Sequence, residues 1–241
     1  MHKDKKILAI IPARAGSKRI PRKNIRLFHG KPLIAYTIEQ ALACPMIDRV
    51  IVDTDSNEIK TVAEKYGAEV PFLRPPKLAR DNSKVVDSII YMLNRLREEQ
   101  HYMPTYLMIL QTTSPLREKE DIEKCWNVMQ EGGATTVLTV CPTHPRLYHV
   151  KPNKDAVLVN GFEGRSTNMQ AWPEAYILNG CFVYIVKTNA LLKERRIITK
   201  KTKAVICPKW RSIDLDHPED WVMAEFLYKN KDKIHAELEK F

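Results

Sequence analysis

The sequence predicts an α/β domain in which a mostly parallel sheet carries helices on both faces. Two observations lead there: short, β-branched apolar runs alternate along the chain with stretches of helical periodicity, and the breaks between them carry stop and cap residues such as Pro12, Ser56 and Gly67. Alternation of this kind needs crossover connections, hence parallel strands. A third observation concerns what the 241 residues lack: no apolar run nears the roughly 18 residues of a membrane span, and the five cysteines (Cys44, Cys125, Cys141, Cys181, Cys207) form no Cys-x-x-Cys pair. A single cytoplasmic domain spanning 1–241, without a disulfide framework or a zinc site, is therefore expected.

Each element follows from local pattern. Lys5 to Ile11 reads as a buried first strand stopped by Pro12, and a loop continues to Gly30. Leu33, Ile34, Ile38, Ala41 and Leu42 recur at helical spacing, with Pro32 suited to the first turn. Arg49–Asp53 is a second strand. Ser56 is a natural cap for a helix that Gly67 would end near Tyr66. The alternation goes on through a strand at Glu69–Leu73, a helix at Val85–Glu99, a strand at Tyr106–Leu110, a helix at Glu118–Gln130 and a strand at Thr135–Val140. Residues 141–178 are weakly periodic and read as an insertion, a hairpin arm for dimer contact or substrate capture. Strands at Cys181–Val186 and Ala204–Cys207 and a helix at Glu219–Tyr228 complete the pattern.

The net charge of +10 points at first to nucleic acid or a membrane surface. Its distribution points elsewhere. Residues 1–31 hold ten Lys or Arg and one acid, residues 193–211 hold eight and one, and the rest of the chain is net negative. Only Phe28 and Trp210 could stack bases within those segments, so a small anion is as good a partner as a polynucleotide. The Lys193–Lys203 run reads as a solvated face.

In parallel α/β sheets ligands bind beyond the carboxyl ends of the strands, which selects residues 12–24, 53–56, 74–84 and 111–117 as one rim. The first of these loops, Pro12-Ala13-Arg14-Ala15-Gly16-Ser17-Lys18-Arg19-Ile20-Pro21-Arg22-Lys23-Asn24, combines a small-residue turn with cations and suits a polyphosphate. It is neither a Walker A loop nor the three-glycine dinucleotide fingerprint. Near the carboxyl end, Ser212-Ile213-Asp214-Leu215-Asp216 would place Asp214 and Asp216 on one face if extended, which fits a hard cation; by spacing alone it equally fits a turn or helix cap.

Ile11 to Asn24 closely resembles the opening motif of the acylneuraminate cytidylyltransferases (CMP-sialic acid synthetases). Asp53-Thr54-Asp55-Ser56, Phe72-Leu73-Arg74-Pro75, Leu78-Ala79-Arg80-Asp81, Leu110 to Arg117, Asn179-Gly180 and Ser212 to Asp216 follow in that family's order, over about residues 6–228. The resemblance implies a Rossmann-like nucleotidyltransferase fold with a dimerisation insertion. It also implies transfer of CMP from CTP to the anomeric hydroxyl of a nine-carbon 2-keto sugar acid, with release of pyrophosphate. Arg14, Ser17, Lys23 and Asn24 would grip CTP, Arg14 and Lys23 neutralising phosphate charge. Arg74 and Ser83 would surround cytosine and ribose, Gln111 would face the sugar, and Asp214 and Asp216 would hold Mg2+. A homodimer would complete the sugar site.

The pattern departs from the family at two points. Asp53 replaces the usual serine, and Met169 in Thr167 to Pro173 stands where a cation for the sugar carboxylate is expected, leaving Arg165 or Arg146 for that role. The acceptor thus stays open between N-acetylneuraminate and legionaminate types. His144, His149 and Cys181 read as ordinary surface or core groups, and no general base stands out. Two alternatives are another sugar nucleotidyltransferase, with Kdo or pseudaminate as acceptor, and a basic RNA-binding protein.

Overall fold

A computed structural model describes residues 5–159, 172–180 and 182–241. Arg165, Met169 and Cys181, singled out by the sequence, lie outside the described residues. In chain order the first elements are β1 (Ile7–Pro12), β2 (Leu27–Phe28), β3 (Lys31–Pro32), α1 (Leu33–Leu42), β4 (Arg49–Asp53) and α2 (Asn57–Lys65). Then come α3 (Val85–Gln100), β5 (Tyr106–Ile109), α4 (Lys119–Gln130), β6 (Thr136–Thr143), β7 (Tyr148–Val150) and β8 (Ala156–Leu158). The chain finishes with β9 (Ala175–Leu178), β10 (Tyr184–Lys187), α5 (Thr188–Glu194), β11 (Thr202–Ile206), α6 (Pro218–Lys229) and α7 (Lys231–Leu238).

The main sheet has the order β11-β6-β10-β5-β1-β4. Five of these strands point the same way and β10 runs against both its neighbours, so the sheet is mostly parallel, as predicted. The alternation of side chains along β1 divides the core into two layers. Ile7, Ala9 and Ile11 pack with α1, α2 and α4, while Leu8 and Ile10 pack with α3 and α5. A third cluster lies outside the sheet: Phe28, Leu33 and Tyr36 meet Leu215, Trp221 and Ala224, and the Phe28 ring stands edge-on to Tyr36, Trp221 and Tyr228. This aromatic contact ties α6 to the start of α1 and carries residues 213–216 back to the first loop.

Boundaries follow local chemistry. Ser56 caps α2, its hydroxyl accepting from the Ile59 amide, and Gly67 ends it at φ +92°. Pro32 sits at the cap of α1 rather than inside its first turn, because Lys31–Pro32 pairs with Leu27–Phe28. Three expectations need correction. Glu69–Leu73 forms no strand: only Glu69 bridges to Ile51, since Pro71 lacks an amide hydrogen and the chain turns to deliver Arg74 to Asp53. Thr136–Thr143 runs past Val140 because β9 pairs with its last four residues, so both ends of the 141–178 segment belong to the main sheet. The helical tail α7 extends beyond the expected last helix.

Among the described residues the largest fully buried side chain is Arg117. Its guanidinium donates to no carboxylate but to the Gln111 carbonyl (3.1 Å), the Phe182 carbonyl (2.7 Å), the Thr37 hydroxyl (2.8 Å) and Gln40 Oε1 (3.1 Å). Burial pulls its pKa down to about 10, so it stays charged at neutral pH. One side chain thus fastens α1, the loop after β5 and the entry to β10. Arg117→Ala should lower unfolding free energy by roughly 2–5 kcal/mol, since several buried acceptors lose a donor and a large cavity opens. Urea unfolding measures this, and Arg117→Lys should recover little because an ammonium cannot span the fork.

Candidate active site

A cavity of about 380 Å³ opens at the carboxyl ends of β1, β4 and β5. Arg14, Gly16, Ser17, Lys18, Arg19 and Lys23 come to it from the first loop. Arg74, Asp81, Gln111, Thr112, Thr113 and Asp216 arrive from the other rim loops. Of the residues expected to bind nucleotide or sugar, Arg14, Ser17, Lys23, Asn24, Arg74 and Gln111 are brought together here. Ser83 is on the neighbouring loop but off the lining, its hydroxyl donating to the Lys77 carbonyl at 3.0 Å.

The first loop is held open by its edges. The Ala13 amide donates to the Asp53 carbonyl (2.9 Å) and the Ala15 amide to Asp55 Oδ1 (2.8 Å), which anchors the turn on the end of β4. Asn24 is buried and spans the floor: its amide donates to the Arg14 carbonyl (2.9 Å), and its oxygen accepts from the Thr112 hydroxyl (2.6 Å). Its side chain therefore shapes the cradle as well as lining it. A Cβ at Gly16 would meet no protein atom, so the missing side chain leaves room on the cavity side of the backbone.

Each cation has a defined restraint. Asp53 is fully buried and takes Arg74 in a two-pronged grip, from Nε at 3.0 Å and Nη2 at 2.7 Å, so the residue that departs from the family pattern positions Arg74. Lys23 is half-buried and donates to the Leu215 carbonyl at 2.6 Å. Burial lowers its pKa, against the pull of Asp216 and Asp214. Arg19 and Lys23 stand 3.7 and 3.9 Å from the exposed Asp216 carboxylate. Arg14 and Lys18 share Asp81, at 3.0 and 2.5 Å. Lys18, Arg19 and Asp81 were legible only as members of motifs, not as individual site residues.

The aspartate pair is not extended. The Asp216 amide donates to the Asp214 carbonyl (2.9 Å), a tight turn that sends the two carboxylates to different environments. Asp216 faces the cavity, just ahead of α6, where His217 and Asp220 form a capping box. Asp214 lies inward against Gly180, whose φ of +61° and bare Cα leave the space it fills; a Cβ there would come within 2.5 Å of the Asp214 carboxyl carbon. Asn179 secures this corner, donating to the Ser212 hydroxyl and accepting from Thr139. Oδ1 of Asp214 is buried without a hydrogen-bond partner. Burial raises the Asp214 pKa, Thr113 opposes that shift, and Asp216 adds to it.

Elsewhere the described cysteines are buried in the core, His149 is exposed on β7, and His144 accepts from the Arg146 amide. The Lys193–Lys203 cations are exposed. Arg146 stacks over Trp172, its guanidinium carbon 4.8 Å from the ring centre. No helix is long and apolar enough to cross a membrane among the described residues.

A doubly covered, mostly parallel sheet with a cation-rich, strand-end cavity defines an α/β protein built to bind an anionic ligand there. A family model described as cytidylyltransferase matches residues 8–209, and the chain belongs to that family. It is 36% identical to the CMP-N,N'-diacetyllegionaminic acid synthase of Legionella pneumophila, over 92% of this chain and 96% of that protein. It is 33% identical to a pseudaminic acid cytidylyltransferase of Campylobacter jejuni, over 93% and 97%. An N-acylneuraminate cytidylyltransferase of Escherichia coli is 30% identical over 97% of this chain but only 54% of its own length. Among solved structures, a CMP-2-keto-3-deoxy-manno-octonic acid synthetase complexed with CTP superposes with a TM-score of 0.69 at 16% identity, over 94% of this chain and 100% of that one, a likeness of fold.

The Asp53–Arg74 pair generates a stability prediction. Asp53→Asn strands a buried guanidinium and should cost about 3–5 kcal/mol, whereas Asp53→Asn combined with Arg74→Met should cost less than the two single changes together. A double-mutant cycle by urea unfolding checks both statements.

Proposed function

We propose that the protein transfers CMP from CTP to the anomeric hydroxyl of a nonulosonic acid and releases pyrophosphate. The observation that carries this reading is the convergence of Arg14, Lys18, Arg19 and Lys23 on one cavity at the end of β1, in a chain related along nearly its whole length to enzymes named for CMP-legionaminate and pseudaminate synthesis. Transfer requires the hydroxyl oxygen to bond to the α-phosphorus as the bond to the bridging oxygen breaks, with pyrophosphate taking the electron pair and the hydroxyl proton passing to solvent. Phosphoryl chemistry asks a protein mainly for positioning and for positive charge where negative charge grows. Arg14 and Lys18 suit the outer phosphates. Lys23, half-buried and fixed by the Leu215 carbonyl, suits the reacting one. Arg74, immobilised by Asp53, lines the nucleotide side, and Gln111 the acceptor side.

Mg2+ fits the aspartate turn. Asp214 has a buried oxygen without a partner, and both residues offer hard carboxylate oxygens. Held by Asp214 and Asp216, the ion would supply positive charge to phosphate oxygens. The exposed apolar residues of the arm and β9, among them Tyr148, Val150, Val157, Ile177 and Leu178, support a homodimer built through this segment. The expected setting is the cytoplasm.

The test is pyrophosphate release from CTP and Mg2+ with N-acetylneuraminate, legionaminate, pseudaminate and Kdo offered separately. Release with one of the first two is expected; release with none sinks the proposal, and RNA retention surviving loss of both aspartates would favour the RNA-binding alternative. In the active combination, Lys23→Met should lower turnover by about 10²–10³. Chelation of divalent metal should abolish activity, and Asp214→Asn or Asp216→Asn should raise the Mg2+ concentration needed for half-maximal rate.

A further inference from the structure

Two cations of the phosphate cradle already have an anion. Arg14 Nη1 donates to Asp81 Oδ1 at 3.0 Å and Lys18 Nζ to Asp81 Oδ2 at 2.5 Å, one cation to each carboxylate oxygen, as two oxygens of a phosphate would take them. Asp81 belongs neither to the first loop nor to a strand. It comes from the exposed turn between Pro76–Leu78 and α3, and it lines the cavity. Arg14 and Lys18 hold its carboxyl below the usual carboxylate range.

The other two carboxylates that meet cavity cations are built differently. Asp53 is sealed in the core on Arg74, and Asp216 stands at 3.7 and 3.9 Å from its cations. Asp81 alone combines direct contact with half exposure, its side chain 53% accessible. A screened pair of that kind is weak and exchanges readily. A terminal phosphate carries more charge than one carboxylate and offers Arg the same planar, two-oxygen geometry.

We propose that Asp81 is a displaceable internal anion. It occupies Arg14 and Lys18 while no polyphosphate is bound, yields them to the phosphate oxygens of an arriving triphosphate, and reclaims them as pyrophosphate departs. This rests on the nucleotide reading above. The empty cradle is spared the repulsion among Arg14, Lys18, Arg19 and Lys23, and the cations stay aimed at the cavity. Competition gives the opposite sign from a structural brace: removing the carboxylate should strengthen anion binding.

The experiment titrates inorganic tripolyphosphate and pyrophosphate calorimetrically into the full chain and into Asp81→Asn at fixed ionic strength. Asp87→Asn is the control, because Asp87 pairs with Arg195 on the exposed surface and its loss makes the same change in net charge. Asp81→Asn should bind both anions roughly threefold to tenfold more tightly, the value of one or two exposed ion pairs, with Asp87→Asn unchanged. Unaltered or weaker binding by Asp81→Asn overturns the proposal, as does equal tightening in Asp87→Asn or no binding by any of the three. These titrations need neither CTP nor acceptor. Tightening in Asp81→Asn without turnover on any sugar acid would sink the cytidylyltransfer reading and leave the displaceable anion standing.

Discussion

Mutual repulsion among the cations at the carboxyl ends of β1 and β4 is the constraint around which the molecule is arranged. Arg14, Lys18, Arg19, Lys23 and Arg74 line one cavity, and each meets an acceptor: Asp81, Asp216, the Leu215 carbonyl or Asp53. The acceptors grade from fixed to loose. Asp53 is sealed in the core and fixes Arg74, whereas Asp81 and Asp216 are exposed, so their cations remain available to a ligand. The +10 charge is thereby unevenly spread: one of its two concentrations supplies the cavity with Arg14, Lys18, Arg19 and Lys23, while the other, at 193–211, lies off the cavity lining.

Scaffolding for that arrangement comes from polar groups buried away from the cavity. Arg117 binds α1, the Gln111 carbonyl and the entry to β10 into one unit, while Asn179 joins β6 to Ser212 and Gly180 makes room for Asp214. The aromatic cluster around Phe28 and Trp221 performs the long-range part, fastening α6 so that the aspartate turn returns to the first loop across nearly the whole sequence. Buried polar networks of this kind are valuable only when satisfied, and among the buried polar atoms left without a partner Asp214 Oδ1 is the carboxylate oxygen, next to the turn that brings Asp216 to the cavity.

Much of this was legible in the sequence, for physical reasons. Apolar periodicity located the strands and helices because burial on two faces demands it, and the rim of loops followed from parallel topology. Strand direction was not legible: Tyr184–Lys187 reads as a buried strand whichever way it runs, and only pairing with β5 and β6 shows it reversed. Glu69–Leu73 had strand composition, but Pro71 and the demand of Asp53 for Arg74 overrode it. Asp214 and Asp216 were identifiable by type, yet the turn that separates them depends on a backbone contact that spacing does not encode. Asp81 was hidden in a motif, since its partners lie more than sixty residues earlier.

The reversed strand β10 also sets an order of assembly during synthesis. β1, β4 and β5 pair among themselves, so that half of the sheet is complete once about the first 110 residues have left the ribosome. β6 has no such option, because β9, β10 and β11 all follow it in the chain. Its end must wait about thirty residues of translation for β9 and the rest about forty for β10, and the aspartate turn comes later still. A nascent chain therefore presents the cation-bearing first loop well before the aspartate turn that faces it, and in that interval the apolar residues of β6 are exposed to misassembly.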